Sequence, residues 1–95
     1  PAVPAQPEVD AAEAAKLSEQ WRGQLVQTAK QHGIGVMEAL SSAAKVAPAK
    51  QRQAFQAMLA GFEPYSAEQL QGMWDGEAWL PQRWLEEWST KTAAS

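Results

Sequence analysis

The stretch Trp74-Asp75-Gly76-Glu77-Ala78-Trp79-Leu80-Pro81-Gln82-Arg83-Trp84-Leu85-Glu86-Glu87-Trp88 decides how this chain folds. It holds four of the five tryptophans, spaced five, five and four residues apart. Tryptophan brings a large apolar surface and an indole N–H that needs a partner when buried. So dense a cluster either fills a core or forms a docking surface. Asp75-Gly76 breaks whatever helix precedes it, and Pro81 suits the first turn of a new one. The final helix is therefore expected from about Pro81 to Trp88 or Ser89. Trp84 and Trp88, four apart, share one face of it, and Leu85 widens that stripe.

Upstream of this stretch, Ser66 with Gln69 forms a capping box, and Tyr65 with Leu70 suits a hydrophobic staple. They start a fourth helix whose buried face is Leu70, Met73 and Trp74. Phe62-Glu63-Pro64-Tyr65 is the turn before it. A third helix, about Pro48 to Ala60, places Phe55, Met58, Leu59 and then Phe62 on one side, with Gly61 as its stop. A second, about Gly35 to Ala47, buries Val36, Met37, Leu40, Ala43 or Ala44, and Val46 or Ala47. Its Ser41-Ser42-Ala43-Ala44 run is small enough to let a neighbour pack closely, and Pro48 ends it.

The first helix starts at Asp10, with Glu13 completing a capping pattern, and runs to about Gln31. Leu17, Trp21, Leu25 and Thr28 or Ala29 form its stripe. Gly23 inside it costs about 1 kcal/mol relative to alanine, which a close helix crossing would explain. Gln31-His32-Gly33 reads as its C-terminal cap, with Gly33 left-handed. Period-two alternation is absent and the connections are short. The chain is thus expected to be all-α, a compact bundle of four to five short helices. A Pro/Ala-rich linker is expected over residues 1–9, the helical domain over 10–89, and a disordered tail over 90–95. This layout is similar to that of accessory domains in larger bacterial proteins, and Pro1 in place of Met suits a domain excised from one.

Ninety-five residues make one domain with one modest core. The net charge of −3 and pI near 5.0 argue against general nucleic-acid binding. No cysteine is present, which removes disulfides and thiolate chemistry and fits a cytoplasmic protein, the expected setting, as well as many exported bacterial ones. No apolar run approaches the length of a membrane span. Charge is uneven along the chain. Lys30, Lys45, Lys50 and Arg52 face only Glu38 over residues 30–52, while residues 62–88 set six acids against Arg83.

Catalysis is not expected. His32 is the only histidine and sits at a helix end, where it meets the dipole. Without cysteines it makes a poor zinc ligand set, so no metal or cofactor is expected. Asp75 with Glu77 and Glu86 with Glu87 are close in sequence, but such charges usually form solvated faces. Gly33-Ile34-Gly35 lacks the remainder of a phosphate loop.

Two binding functions remain. In the first, Trp79, Trp84, Leu85 and Trp88 form an exposed patch rimmed by acids that docks a basic or mixed-charge protein. The competing reading of these residues is that all of them fill the core, as Trp21 and Trp74 are expected to. Other domains of the parent chain and a second copy are further candidate partners. In the second function, Lys45, Lys50 and Arg52 bind nucleic acid, helped by indole stacking on bases. The acids interleaved with the tryptophans disfavour it. A membrane-surface role is disfavoured by Glu86-Glu87.

Overall fold

Asp10 opens the fold as expected. Its backbone is extended and its side chain accepts the Glu13 N–H at 2.8 Å, satisfying a first-turn donor. The computed structural model describes residues 7–94. They form five helices: α1 (Ala11–Gln31), α2 (Val36–Ala44), α3 (Ala49–Ala60), α4 (Ala67–Gln71) and α5 (Leu80–Ala94). The all-α bundle read from the sequence is the fold of the chain. No helix among the described residues is long and apolar enough to cross a membrane.

α1 is the centre of the bundle and touches α2, α3, α4 and α5. Its buried stripe is Ala14, Ser18, Trp21, Leu25, Thr28 and Ala29, at the spacing that keeps one face inward. Leu17 is half-buried at its edge. α1 ends in a Schellman motif: Ile34 N–H donates to the Ala29 carbonyl and Gly33 N–H to that of Lys30, with Gly33 at φ +69°. The expected close crossing at Gly23 does not exist. Gly23 is exposed, and a Cβ there would meet no atom within 4 Å.

α2 is shorter than the sequence suggested. After Ala44 the chain tightens, with Lys45, Val46 and Ala47 each donating three residues back at 3.2 Å. Pro48 disfavours helical backbone at Ala47 and supplies no N–H, so the helix unwinds before it. The buried face of α2 is Ala39, Leu40, Ala43 and Ala44. Val36 and Met37, expected inside, are exposed in the first turn of α2.

Pro48 caps α3 from outside, and Phe55, Met58 and Leu59 are buried as expected. Gly61 at φ +83° closes this helix in a second Schellman motif, with Phe62 N–H donating to the Ala57 carbonyl. That left-handed turn swings Phe62 off the α3 stripe, leaving it 83% exposed rather than packed beside Leu59.

Both arms of the Ser66–Gln69 capping box form, at 3.1 and 2.9 Å, and Tyr65 and Leu70 are both buried at the staple positions. Tyr65 also ties this turn to α1. Its N–H donates to Ser18 Oγ at 2.9 Å, Ser18 donates to the Ala14 carbonyl, and its ring meets Trp21 edge-on at 6.3 Å. Burial pushes the Tyr65 phenol well above its ordinary pKa.

The two termini of the fold differ from expectation. Residues 1–6 of the expected linker lie outside the described residues, but Val9 is buried against the core, so the domain begins before Asp10. At the other end α5 continues to Ala94, so the tail expected over 90–95 is helical as far as that residue. Thr90 Oγ1 bonds the Glu86 carbonyl and Lys91 pairs with Glu87 at 3.5 Å, supporting the extra turn.

Candidate functional site

The indoles of the Trp74–Trp88 stretch are turned inward, while its charged residues stay at the surface. After α4, Met73 and Trp74 lead into a tight reversal in which Trp74 and Trp79 face each other as an isolated antiparallel bridge. Asp75 builds the reversal. Its Oδ1 accepts the N–H groups of Glu77 and Ala78 at 2.9 and 2.8 Å, while its own N–H donates to the Ala78 carbonyl. Gly76 supplies the φ of +104° that the turn needs. Arg83 reaches back from α5 to clamp it, with Nε 2.9 Å from Asp75 and Nη2 2.7 Å from Glu77. The two backbone hydrogen bonds, and Arg83 after them, hold the Asp75 carboxyl below its ordinary pKa. The hydrogen bond that Arg83 donates to Glu77, and the Asp75 charge, raise the pKa of Arg83. Asp75 and Glu77 are therefore two halves of a structural clamp.

The reversal aims the remaining indoles inward. Trp79, Trp84, Leu85 and Trp88 are between 1% and 7% exposed, and all four belong to the core cluster. Trp84 meets Phe55 edge-on at 5.0 Å, and Trp79 meets Trp74 likewise at 4.9 Å. Trp88 Nε1 donates to Ser42 Oγ at 3.1 Å, using the small-residue run of α2 as its seat. The exposed patch expected of these four residues is corrected in one respect: all four are buried, and the Trp88 indole N–H is satisfied internally. Trp21 is core, as expected, and Trp74 is half-buried against it.

Lys45, Lys50 and Arg52 are exposed around the α2–α3 junction. Arg52 Nη2 donates to the Ala47 carbonyl at 3.3 Å, so part of its donor capacity closes the end of the α2 turn. His32 is exposed at the α1 cap, where its backbone N–H bonds the Thr28 carbonyl. Among the described residues no three His, Cys, Asp or Glu side chains converge as a metal cluster would.

The apolar surface of the molecule lies elsewhere. Its exposed large hydrophobic residues among those described are Val26, Val36, Met37 and Phe62, and all four line one groove between α1, α2 and α3. The groove has a volume of about 770 Å³, with Leu40 and Leu59 in its lining and Arg22 at its α1 edge. Met37 is 78% exposed and Phe62 83%, and the two stand on the same groove. Two local signals bear on this. Gly35 caps α2 without any side-chain hydrogen bond, leaving an apolar first turn at the surface. Phe62 follows a left-handed glycine, so the helical spacing that would bury it no longer applies. Compared with known proteins, the chain matches no family model, no curated protein and no solved structure.

Proposed function

We propose that this chain is a non-catalytic docking domain that recruits another protein through the apolar groove between α1, α2 and α3. The observation that carries the reading is the convergence of Val26, Val36, Met37 and Phe62 on that groove, while Trp79, Trp84 and Trp88 are spent on the core. Covering Met37 and Phe62 with a partner is worth about 1.5–3 kcal/mol each before the costs of association. Methionine also adapts its shape to a partner cheaply, having several rotatable bonds and a polarizable sulfur. The cysteine-free chain suits a cytoplasmic setting for such a partner.

Site-specific photocrosslinking in the parent cell tests it. A crosslinking residue at position 62 or 37 should capture one discrete protein, and the product should disappear when Val36 is changed to Asp. The same group at Glu86, on exposed α5 surface, should capture nothing. Equal capture from 62 and 86, or none from either, would overturn the reading. So would salt-dependent DNA binding lost in Lys50→Glu/Arg52→Glu, which would move the function to the basic cluster.

A further inference from the structure

We infer that the groove takes an amphipathic partner helix bearing a carboxylate beside its apolar stripe, and that Arg22 selects that carboxylate. This rests on the groove being the docking site proposed above.

The form of the partner follows from what the groove is made of. An extended peptide needs a sheet edge to extend, and the only strand-like pairing among the described residues is the Trp74–Trp79 bridge, remote in sequence from the groove residues. Polyproline ligands need a series of aromatic ridges, and Phe62 is the one aromatic residue lining this groove. A channel walled by three helices and lined by Val26, Val36, Met37 and Leu40 suits a fourth helix, whose apolar residues recur at i, i+3 or i+4, and i+7.

The charge of the partner follows from the rim. Arg22 is the only charged side chain lining the groove; the other polar residues there are serine and glutamines. Its stem lies over Gly61, with Nη1 3.2 Å from where a Cβ would stand, which places the guanidinium at the α1–α3 edge of the groove. Its one ion pair, to Glu19, is 3.9 Å long, and Glu19 is 78% exposed. Such a pair is weak and easily exchanged for a bidentate one with an incoming carboxylate. A basic residue on the partner would be repelled by Arg22.

A phage-displayed random peptide library, panned on the intact chain with counter-selection on Met37→Asp/Phe62→Asp, tests both parts. Both substituted residues are exposed, so the double variant should keep the wild-type circular dichroism spectrum. Enriched peptides should show helical apolar spacing with an adjacent Asp or Glu and become helical on binding. Arg22→Gln should weaken them about fivefold and Arg22→Lys much less, the scale of a rim ion pair. Helical peptides that need Met37 and Phe62 but carry no acid, or lose nothing in Arg22→Gln, would overturn selection by Arg22 and leave the docking reading standing. Extended or proline-rich winners would overturn the helical partner. No peptide that depends on Met37 and Phe62 would overturn both. A chain that sediments as a dimer, split by Met37→Asp, would assign the groove to a second copy and overturn the inference.

Discussion

The carboxylate of Asp75 does more for the architecture than its exposed position in the chain implies. It accepts two backbone N–H groups and Arg83, and without it the reversal that turns Trp79 inward loses three of the contacts that close it. Because its folded pKa is lowered, its contribution is fully present above the ordinary carboxylate range and fades only as pH falls through the lowered value. At pH about 4, where free carboxylates are half protonated, Asp75 should therefore be charged in a larger fraction of molecules. In an NMR pH titration its carboxyl carbon, and the Glu77 and Ala78 amides it accepts, should move below the ordinary carboxylate range. Asp75 titrating at the ordinary carboxylate value would show that the two amides are not held by a charged carboxylate. Sequence reading identified Asp75-Gly76 as a break but not as a clamp, because the clamp depends on Arg83 returning from the next helix.

At the scale of elements, two glycines carry opposite predictions. Gly23 lies mid-helix on the solvent side of α1 with open space where a Cβ would go, so Gly23→Ala should stabilise the fold by about 0.5–1 kcal/mol. Gly61 adopts the left-handed conformation and lies under Arg22, so Gly61→Ala should destabilise by about 1–2 kcal/mol from backbone strain. In thermal unfolding each kcal/mol corresponds to about 4–8 °C for a domain of this size. Equal shifts of one sign for the two variants would contradict this account of the glycines. The same contrast explains how far elements were legible. Caps at Asp10, Ser66, Gly33 and Gly61 act within a few residues, so the helix starts and stops they govern could be read directly. Which face a residue shows is decided by distant partners. Trp88 is buried because Ser42, distant in sequence, receives its indole. Met37 is exposed because nothing distant covers it. Length at the chain ends was misread for a related reason: Val9 and the α5 extension are held by the core and by side-chain pairs, against the composition around them.

At the scale of the whole molecule, the division of aromatic residues separates the interior from the interaction surface. Trp21, Trp79, Trp84 and Trp88 anchor α1 and α5 in one core, Trp74 sits half-buried at its margin, and Phe62 alone among the large aromatics stands in solvent. Tryptophan emission reads this arrangement directly. The native spectrum should be blue-shifted, and acrylamide or iodide should quench only a minor fraction, which Trp74→Phe removes. The Met37→Asp/Phe62→Asp double variant should leave both spectrum and quenching unchanged, since no tryptophan lines the groove. If Trp79, Trp84 or Trp88 dominated the quenchable fraction, judged by single Trp→Phe variants of comparable stability, α5 would be presenting its indoles outward. The docking surface would then return to α5 and its acidic rim, and the groove would lose its claim. If only Trp74 is quenchable, the partner must be sought on the opposite chemistry: an aliphatic, methionine-bearing face beside Arg22, whose occupancy leaves the indoles silent and must be followed through Met37 and Phe62 themselves.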